Sequence, residues 1–236
     1  MFFRKIKKIN ITTDIHSHLL PGIDDGAKSF EESEMLIREF IKLGYKKLII
    51  TPHVMGDYFN NSSEDIKKKC SELREYLQEK NIRIEIECSA EYFLDEEFEK
   101  RINENDLLPI HNKYILFETS YYEKPLNFDD IIFMIQSKGY VPILAHPERY
   151  RYFTDMKEYD KLKEKGVLYQ CNINSFGGFY GKKAKKKFEY LAKNKMIDFL
   201  GSDAHSMKYL KSLQNVLNDN KFHKIIEKCE LKNNGF

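Results

Sequence analysis

Short apolar blocks alternate with stretches of helical periodicity along the whole chain. The first block (Ile6, Ile9, Ile11) reads as a strand. Asp14, His16 and His18 follow it on alternate positions, so an extended backbone places them on one face. From 27 to 43, Met35, Leu36, Phe40 and Leu43 recur at helical spacing. Ser29 with Glu32 makes a capping box in front, and Gly44 closes the helix. The block 46–50 is a buried strand running into Thr51-Pro52-His53. A helix over 66–77, an alternating strand over 82–88 that ends at Ser89-Ala90-Glu91, and a short helix over 93–102 come next.

The same alternation continues to the end. A strand over 114–117 delivers Glu118, and a helix over 129–138 stops at Gly139. A strand over 141–145 delivers His146, a helix over 159–165 stops at Gly166, and a sixth strand covers 167–172. A lysine-rich helix over 182–194 precedes a strand over 197–200, which delivers Gly201-Ser202-Asp203-Ala204-His205. A terminal helix spans roughly 208–228. Strands separated by helices with short connections imply a parallel sheet. Polar residues stand at the carboxyl end of nearly every strand rather than at one switch point, which favours a closed barrel over an open doubly wound sheet. The expected fold is α/β, a seven-stranded relative of the (β/α) barrel. No repeat, low-complexity segment or linker divides the chain, so residues 1–236 read as one domain.

Composition narrows the function classes. A net charge of +2 gives no ground for expecting nucleic-acid binding. The basic, aromatic start (residues 1–8) reads as a strand lead-in. No apolar run is long enough to span a bilayer or resembles a signal-peptide core, so no stable membrane insertion is expected. The cysteines at 70, 88, 171 and 229 show no CxxC spacing; they read as small core residues in a reducing compartment, against a disulfide scaffold. The expected location is the cytoplasm.

The candidate chemistry follows strand phase. His16 and His18 stand after the first strand, His53 after the second, Glu91 after the third, Glu118 after the fourth, His146 after the fifth, and Asp203 with His205 after the seventh. In a parallel barrel those ends open on one face, which gathers imidazoles and carboxylates at one mouth. Such N/O donors without cysteine suit a divalent metal in hydrolysis better than a structural zinc. His111 and His223 lie away from strand ends and read as solvated. None of the cysteines is followed by arginine six positions later, the spacing a thiolate-based tyrosine phosphatase requires, so if the chain removes phosphate it must use metals.

This set resembles the polymerase-and-histidinol-phosphatase (PHP) superfamily. The carrying pieces are Asp14-Ile15-His16-Ser17-His18, Thr51-Pro52-His53, Glu91, Glu118, His146-Pro147-Glu148-Arg149-Tyr150 and Gly201-Ser202-Asp203-Ala204-His205. The continuation Leu-Leu-Pro-Gly-Ile-Asp-Asp-Gly at 19–26 and the His-Pro-Glu-Arg-Tyr run look like the bacterial capsule and exopolysaccharide tyrosine phosphatases of the CpsB/CapC type. The resemblance covers residues from about 10 to 210. It implies a distorted TIM-like PHP barrel and a protein-tyrosine phosphatase with three divalent ions, usually manganese, with iron, zinc or magnesium as alternatives. His16, His18, Glu91 and Asp203 would hold one ion. Glu91 would bridge to a second, completed by Glu118 and His146. His53 and His205 would hold the third with an aspartate, Asp25 being preferred over Asp24. Asp14 would orient a ligand histidine.

Metal-activated hydroxide would attack the phosphoryl group, and Arg149 would fork onto phosphate oxygens, the competing reading for Arg149 being a surface ion pair with Glu148. The implied partner is the phosphotyrosine-bearing tail of a bacterial tyrosine kinase. The lysine run 182–187 reads as a solvated helix face, or, if it starts near the mouth, as an attractor for an acidic tail. Tyr121, Tyr122, Tyr150, Tyr152 and Phe179 are candidates for the wall of an aromatic groove. One departure stands out: phosphatases of this type usually carry a second arginine five residues after the last histidine ligand, where this chain has Leu210. The alternatives are a histidinol-phosphate phosphatase, which usually has histidine where Glu118 stands, and a degenerate, non-enzymatic barrel, which predicts missing ligands.

Overall fold

The computed structural model describes residues 10–235. The residue 6–9 part of the expected first strand lies outside them. Among the described residues the strands are β1 (Thr13–Asp14), β2 (Lys47–Ile50), β3 (His53–Val54), β4 (Glu85–Cys88), β5 (Glu91–Phe93), β6 (Tyr114–Glu118), β7 (Val141–Ala145), β8 (Leu168–Asn172) and β9 (Phe199–Gly201). The helices between and after them are α1 (Phe30–Lys42), α2 (Ser63–Glu79), α3 (Glu96–Glu104), α4 (Phe128–Ser137), α5 (Lys157–Glu164), α6 (Ile173–Phe176), α7 (Lys182–Lys193), α8 (Met207–Leu217) and α9 (Asn220–Ile226). The Ser29 cap forms, with its hydroxyl accepting from Glu32 N.

All strand pairs are parallel and fall into two sheets, in the orders β1-β2-β4 and β3-β5-β6-β7-β8-β9. The break between the sheets has a local cause. Ser89 N still donates to Ile50 O and Glu91 N to Pro52 O, but Pro52 has no N–H to give back, so the ladder loses a rung there. On the other side, Ser17 bridges Ala204 in parallel register. Asp203 N donates to His16 O at 2.8 Å, and His18 N to Ala204 O at 3.0 Å. The first and last strand ends are thereby stitched together beside the site.

Alternation along the strands divides the apolar side chains in two. Leu48, Ile50, Ile115, Phe117, Leu144 and Leu200 join the large core under the helices. Ile15, Ile49, Ile110, Leu116, Ile143, Ala145 and Phe199 form a separate buried cluster, a second apolar layer on the other face of the parallel strands. This apolar floor excludes water beneath the polar strand ends and strengthens the electrostatics above it.

Three expectations need correction. The terminal helix is two helices, because Asp219 caps a new start by accepting from Lys221 N. That turn brings His223 inside, where it is buried and its Nε2 donates to Leu217 O at 2.8 Å. Cys70 and Cys88 form a disulfide, with Cα atoms 6.3 Å apart; the packing of α2 against β4 creates a proximity that the sequence spacing conceals. Cys171 and Cys229 are free. Among the described residues no helix is long and apolar enough to cross a membrane.

Candidate metal centre

The imidazoles at the strand ends are held by their outer nitrogens. His16 Nδ1 bonds Gln170 Oε1 at 2.6 Å, and His18 Nδ1 bonds Asp24 Oδ2 at 2.8 Å. His205 Nδ1 bonds the Asp203 carbonyl at 3.0 Å. Those oxygens only accept, so each Nδ1 carries a proton, and in the neutral ring each Nε2 then presents a lone pair. The Nε2 atoms of His16 and His18 then face each other at 3.2 Å. Glu91 Oε2 lies 3.2 Å and 3.5 Å from them and 3.1 Å from His53 Nδ1, yet neither Glu91 Oε2 nor His53 Nδ1 makes a hydrogen bond. Buried lone pairs converging on one another are costly to leave unrelieved; protons relieve them in metal-free protein, and one cation at the focus would satisfy them together.

Three overlapping groups of donors have this character. His16, His18 and Glu91 form one; His53, Glu91 and Glu118 the second; His18, Asp25, His53 and His205 the third, with donor atoms within 4.8 Å of one another in each. His146 Nε2 extends the second, 3.0 Å from Glu91 Oε1 and 3.6 Å from Glu118 Oε2. Asp203 Oδ1 extends the first, 3.7 Å from His16 Nε2 and 3.5 Å from His18 Nε2. All nine residues expected as metal ligands are therefore brought together. The nitrogen and oxygen donors fit manganese, iron, zinc or magnesium.

The electrostatics show how strongly these groups seek a cation. Burial opposes charge on His16, but Glu91 and Asp203 outweigh it and lift the imidazole to about 9. Burial likewise opposes charge on His53, and Glu91 with Glu118 lifts it to about 10. Despite burial, His16 and His53 hold the Glu91 carboxyl well below its ordinary range. Without metal the site fills with protons; with metal the same lone pairs become ligands.

The two neighbouring aspartates take different parts. Asp24 is buried, and besides His18 it accepts from Gly26 N at 2.9 Å and His53 N at 3.1 Å. Its oxygens are spent on orientation. Asp25 is more than half exposed, and its Oδ1 lies 3.2 Å from His205 Nε2 and 3.6 Å from His53 Nε2. Asp14 does not orient a histidine; it accepts from Ser202 N and Ser202 Oγ, both at 2.8 Å, and so anchors the loop that carries Asp203.

Arg149 does not pair with Glu148, which is buried and accepts from Asn172 N and Ser175 Oγ. Arg149 Nη1 donates to Asp203 Oδ2 at 2.7 Å. Its guanidinium lies between the rings of Tyr121 and Tyr180, 4.5 and 4.3 Å from their centroids, a cation–π sandwich that fixes its plane. It lines a cavity of about 460 Å³ together with Asp25, His53, Glu118, Tyr121 and Tyr122. Tyr150 is buried instead, its hydroxyl accepting from Thr119 N. Phe179 packs against Tyr180 and Tyr209. Leu210 is buried in the core, while neighbouring Tyr209 faces the cavity.

Backbone constraints aim these groups. His146 and Asp203 both sit at positive φ, 34° and 50°, a conformation that costs non-glycine residues of order 1–2 kcal/mol. A Cβ on Gly26 would lie 2.0 Å from His18 O, and one on Gly201 would lie 2.9 Å from His16 Cβ; both candidate ligand histidines rely on bare backbone behind them.

The sequence reading missed Gln170, Asn172 and Tyr180. Gln170 Nε2 donates to Asn172 Oδ1 at 2.9 Å, and Asn172 Nδ2 to Asp203 Oδ2 at 2.7 Å. Tyr180 Oη also donates to Asp203 Oδ2, at 3.2 Å. A chain of polar groups thus runs from His16 through β8 to Asp203 and Arg149. The available signal was the i, i+2 pair Gln170 and Asn172 on the one strand that delivers no ligand candidate.

The comparison with known sequences decides the family: the model for capsular polysaccharide synthesis, CpsB/CapC, matches residues 12–220. The chain belongs to the CpsB/CapC family. Within it, the tyrosine-protein phosphatase YwqE of Bacillus subtilis is 31% identical over 200 residues, covering 83% of this chain and 78% of that protein. The tyrosine-protein phosphatase CpsB of Streptococcus pneumoniae is 28% identical over 205 residues, covering 82% and 83%. A solved structure from work on YwqE and CpsB, described as metal-dependent tyrosine phosphatases, matches with a TM-score of 0.80 at 29% identity, covering 91% of this chain and 90% of that one. The histidinol phosphate phosphatase of Lactococcus lactis shares the fold, with a TM-score of 0.55 at 17% identity, covering 90% of this chain and 95% of that one. The CpsB/CapC match thus spans every expected ligand and Arg149.

Proposed function

We propose that this CpsB/CapC protein is a metal-dependent protein-tyrosine phosphatase acting on the phosphotyrosine-bearing tail of a bacterial tyrosine kinase that controls capsule or exopolysaccharide synthesis. The observation that carries the hydrolytic reading is the convergence of the Nε2 atoms of His16 and His18 with Glu91 Oε2 beneath an open cavity. The family relatives named as tyrosine phosphatases supply the substrate class. Counting β2 with β3, and β4 with β5, as single interrupted strands supports a seven-stranded (β/α)7 PHP barrel.

In this reading His16, His18, Glu91 and Asp203 hold one ion, Glu91, Glu118 and His146 a second, and Asp25, His53 and His205 a third, with manganese the first choice. When bound, such ions would supply Lewis acidity, lowering the pKa of water to roughly 7 and offsetting phosphoryl charge. The chain does the rest. Arg149, with its plane fixed by Tyr121 and Tyr180 and one N–H spent on Asp203, turns its remaining donors to the phosphoryl oxygens. Tyr121 and Tyr122 give the substrate ring apolar contact. A tyrosyl phenolate, with a pKa near ~10, needs less protonation to depart than an alkoxide. Glu118 where histidinol phosphatases usually have histidine favours the protein-phosphatase reading.

Metal-reconstituted protein assayed on a phosphotyrosyl peptide, a phosphoseryl peptide and histidinol phosphate tests this. The expected result is strong preference for the tyrosyl peptide and loss of activity on chelation. Equal rates on all three substrates would refute the tyrosine specificity, and activity surviving thorough chelation would refute the metal chemistry.

A further inference from the structure

Beside the catalytic cavity runs a groove of about 540 Å³, lined by Arg149, Arg151, Tyr180, Lys182, Lys183 and Lys186 among others. Arg149 and the cavity's own lining meet there, because that residue borders both spaces. The groove is single-signed. Its one acidic lining residue, Glu148, is buried and committed to Asn172 N and Ser175 Oγ. Arg151, Lys182, Lys183 and Lys186 are all exposed, and none of them is in an ion pair with a carboxylate among the described residues.

These lysines do nothing evident for the fold. They occupy the first turns of α7, which has no acidic residue and no side-chain cap at its start. Positive charge there opposes the helix dipole, and lysines three or four positions apart repel one another. The wall they form is nevertheless firmly placed: Lys187 is buried and donates to the Tyr150 carbonyl, tying α7 to the segment that carries Arg149. A chain whose net charge is only +2 thus concentrates four unpaired cations along a groove leading out of its active site.

We propose that this groove binds an anionic flank of the polypeptide whose phosphotyrosine occupies the cavity. The proposal rests on the phosphatase reading above for the location of the phosphotyrosine. The flank's charge comes from acidic side chains or from a second phosphoryl group; both are oxyanions that exposed ammonium and guanidinium groups attract over a Debye length of about 8 Å at physiological salt.

The test compares three phosphotyrosyl peptides, with a neutral flank, a glutamate-rich flank, and a flank carrying a second phosphotyrosine, on wild-type protein and on the Lys182→Ser/Lys183→Ser/Lys186→Ser variant. Weak exposed pairs add up to an expected advantage of about tenfold in KM for the charged flanks at low salt. The variant should lose that advantage while keeping kcat and its KM for the neutral peptide. An advantage confined to the doubly phosphorylated peptide assigns the groove to phosphoryl groups, and one shared by the glutamate peptide assigns it to carboxylates as well. Equal KM for all three peptides on wild-type protein overturns the proposal.

Binding of the glutamate-flanked and doubly phosphorylated peptides, read by fluorescence anisotropy, separates the two claims. If no peptide is hydrolysed but binding still depends on the lysines, the phosphatase reading fails and the groove stands. If hydrolysis proceeds while binding ignores both the flank and the lysines, the groove fails alone. The Lys183→Ser single variant gives a graded loss, and the melting temperature of each variant should equal or exceed that of the parent, since the removed charges oppose the helix dipole.

Discussion

Replacing Asp24 or Asp25 by asparagine separates two adjacent carboxylates, of which the family resemblance only favoured Asp25 as the ligand. Asp24 accepts three hydrogen bonds in a buried position, from His18 Nδ1, His53 N and Gly26 N. Asparagine keeps one carbonyl oxygen for the two histidine donors and turns its NH2 towards the Gly26 N–H, leaving that donor unsatisfied. Losing the charge on two bonds and breaking a third costs about 2–4 kcal/mol. The pKa gives a similar figure: burial raises the carboxyl, His18 and His53 outweigh it, and it falls from 3.8 to about 2, roughly 2.5 kcal/mol in favour of the charged form.

For a domain of this size that corresponds to a melting temperature lower by about 4–16 °C. Released from Asp24, His18 should also bind metal about 10–100-fold more weakly. Asp25→Asn, at a more than half-exposed position, should leave the metal-free melting temperature within about 2 °C of the parent and lose the ion held with His53 and His205. Calorimetry on metal-free protein and metal content after dialysis measure both effects. Because the Asp24 pKa is depressed, its contribution is present above about 4 and lost as pH falls through about 2, so the gap between parent and Asp24→Asn should close on acidification. The reasoning is refuted if Asp24→Asn melts with the parent at neutral pH, or if Asp25→Asn is the destabilised one.

Three further outcomes are expected. Arg149→Lys keeps a charge beside Asp203 but loses the planar fork and the sandwich between Tyr121 and Tyr180; kcat/KM should fall by roughly 100-fold with metal content unchanged, as steady-state kinetics and metal analysis will show. Gln170→Leu removes the acceptor for His16 Nδ1 and the donor to Asn172, and metal titration should show affinity about 10–100-fold weaker. In metal-free protein, His16 raised to about 9 and His53 to about 10 both carry protons at pH 7.5. Metal binding at that pH should release protons, read by titration calorimetry in buffers of differing ionisation enthalpy. Because these pKa values are raised, their stabilisation of the metal-free fold is complete below about 6.5 and is lost as pH rises through about 9 to 10; loading with metal should remove that decline, and a flat metal-free profile would contradict it.

Much of this molecule was legible in one dimension because strand phase and chemistry coincide. Each apolar block of a parallel sheet ends on the same side, so the residues following 11, 50, 88, 117, 145 and 200 had to meet, and the eight ligand candidates there do so; Asp25, which the family resemblance implied, joins them from the 19–26 loop. Helix starts with local signals, such as Ser29 with Glu32, were equally readable. Elements that depend on contacts between distant segments were not. The Cys70–Cys88 bond, the burial of His223 and the switch of Asp14 from a histidine to Ser202 come from packing across 18 residues, a helix turn and 188 residues respectively.

By itself, then, the order of residues determined the fold class, the ring of ligand candidates and the arginine three positions past His146. Periodicity and strand ends are local properties, and local properties are written in the chain. Tertiary structure decided which of two adjacent aspartates turns inward, what β8 is for, and where the lysines of α7 point. Gln170, Asn172 and Tyr180 matter because of what stands opposite them. Asp24 and Asp25 differ only in whether buried donors or an open cavity face them, and that is settled by how the loop after His18 folds back against His18 and His53.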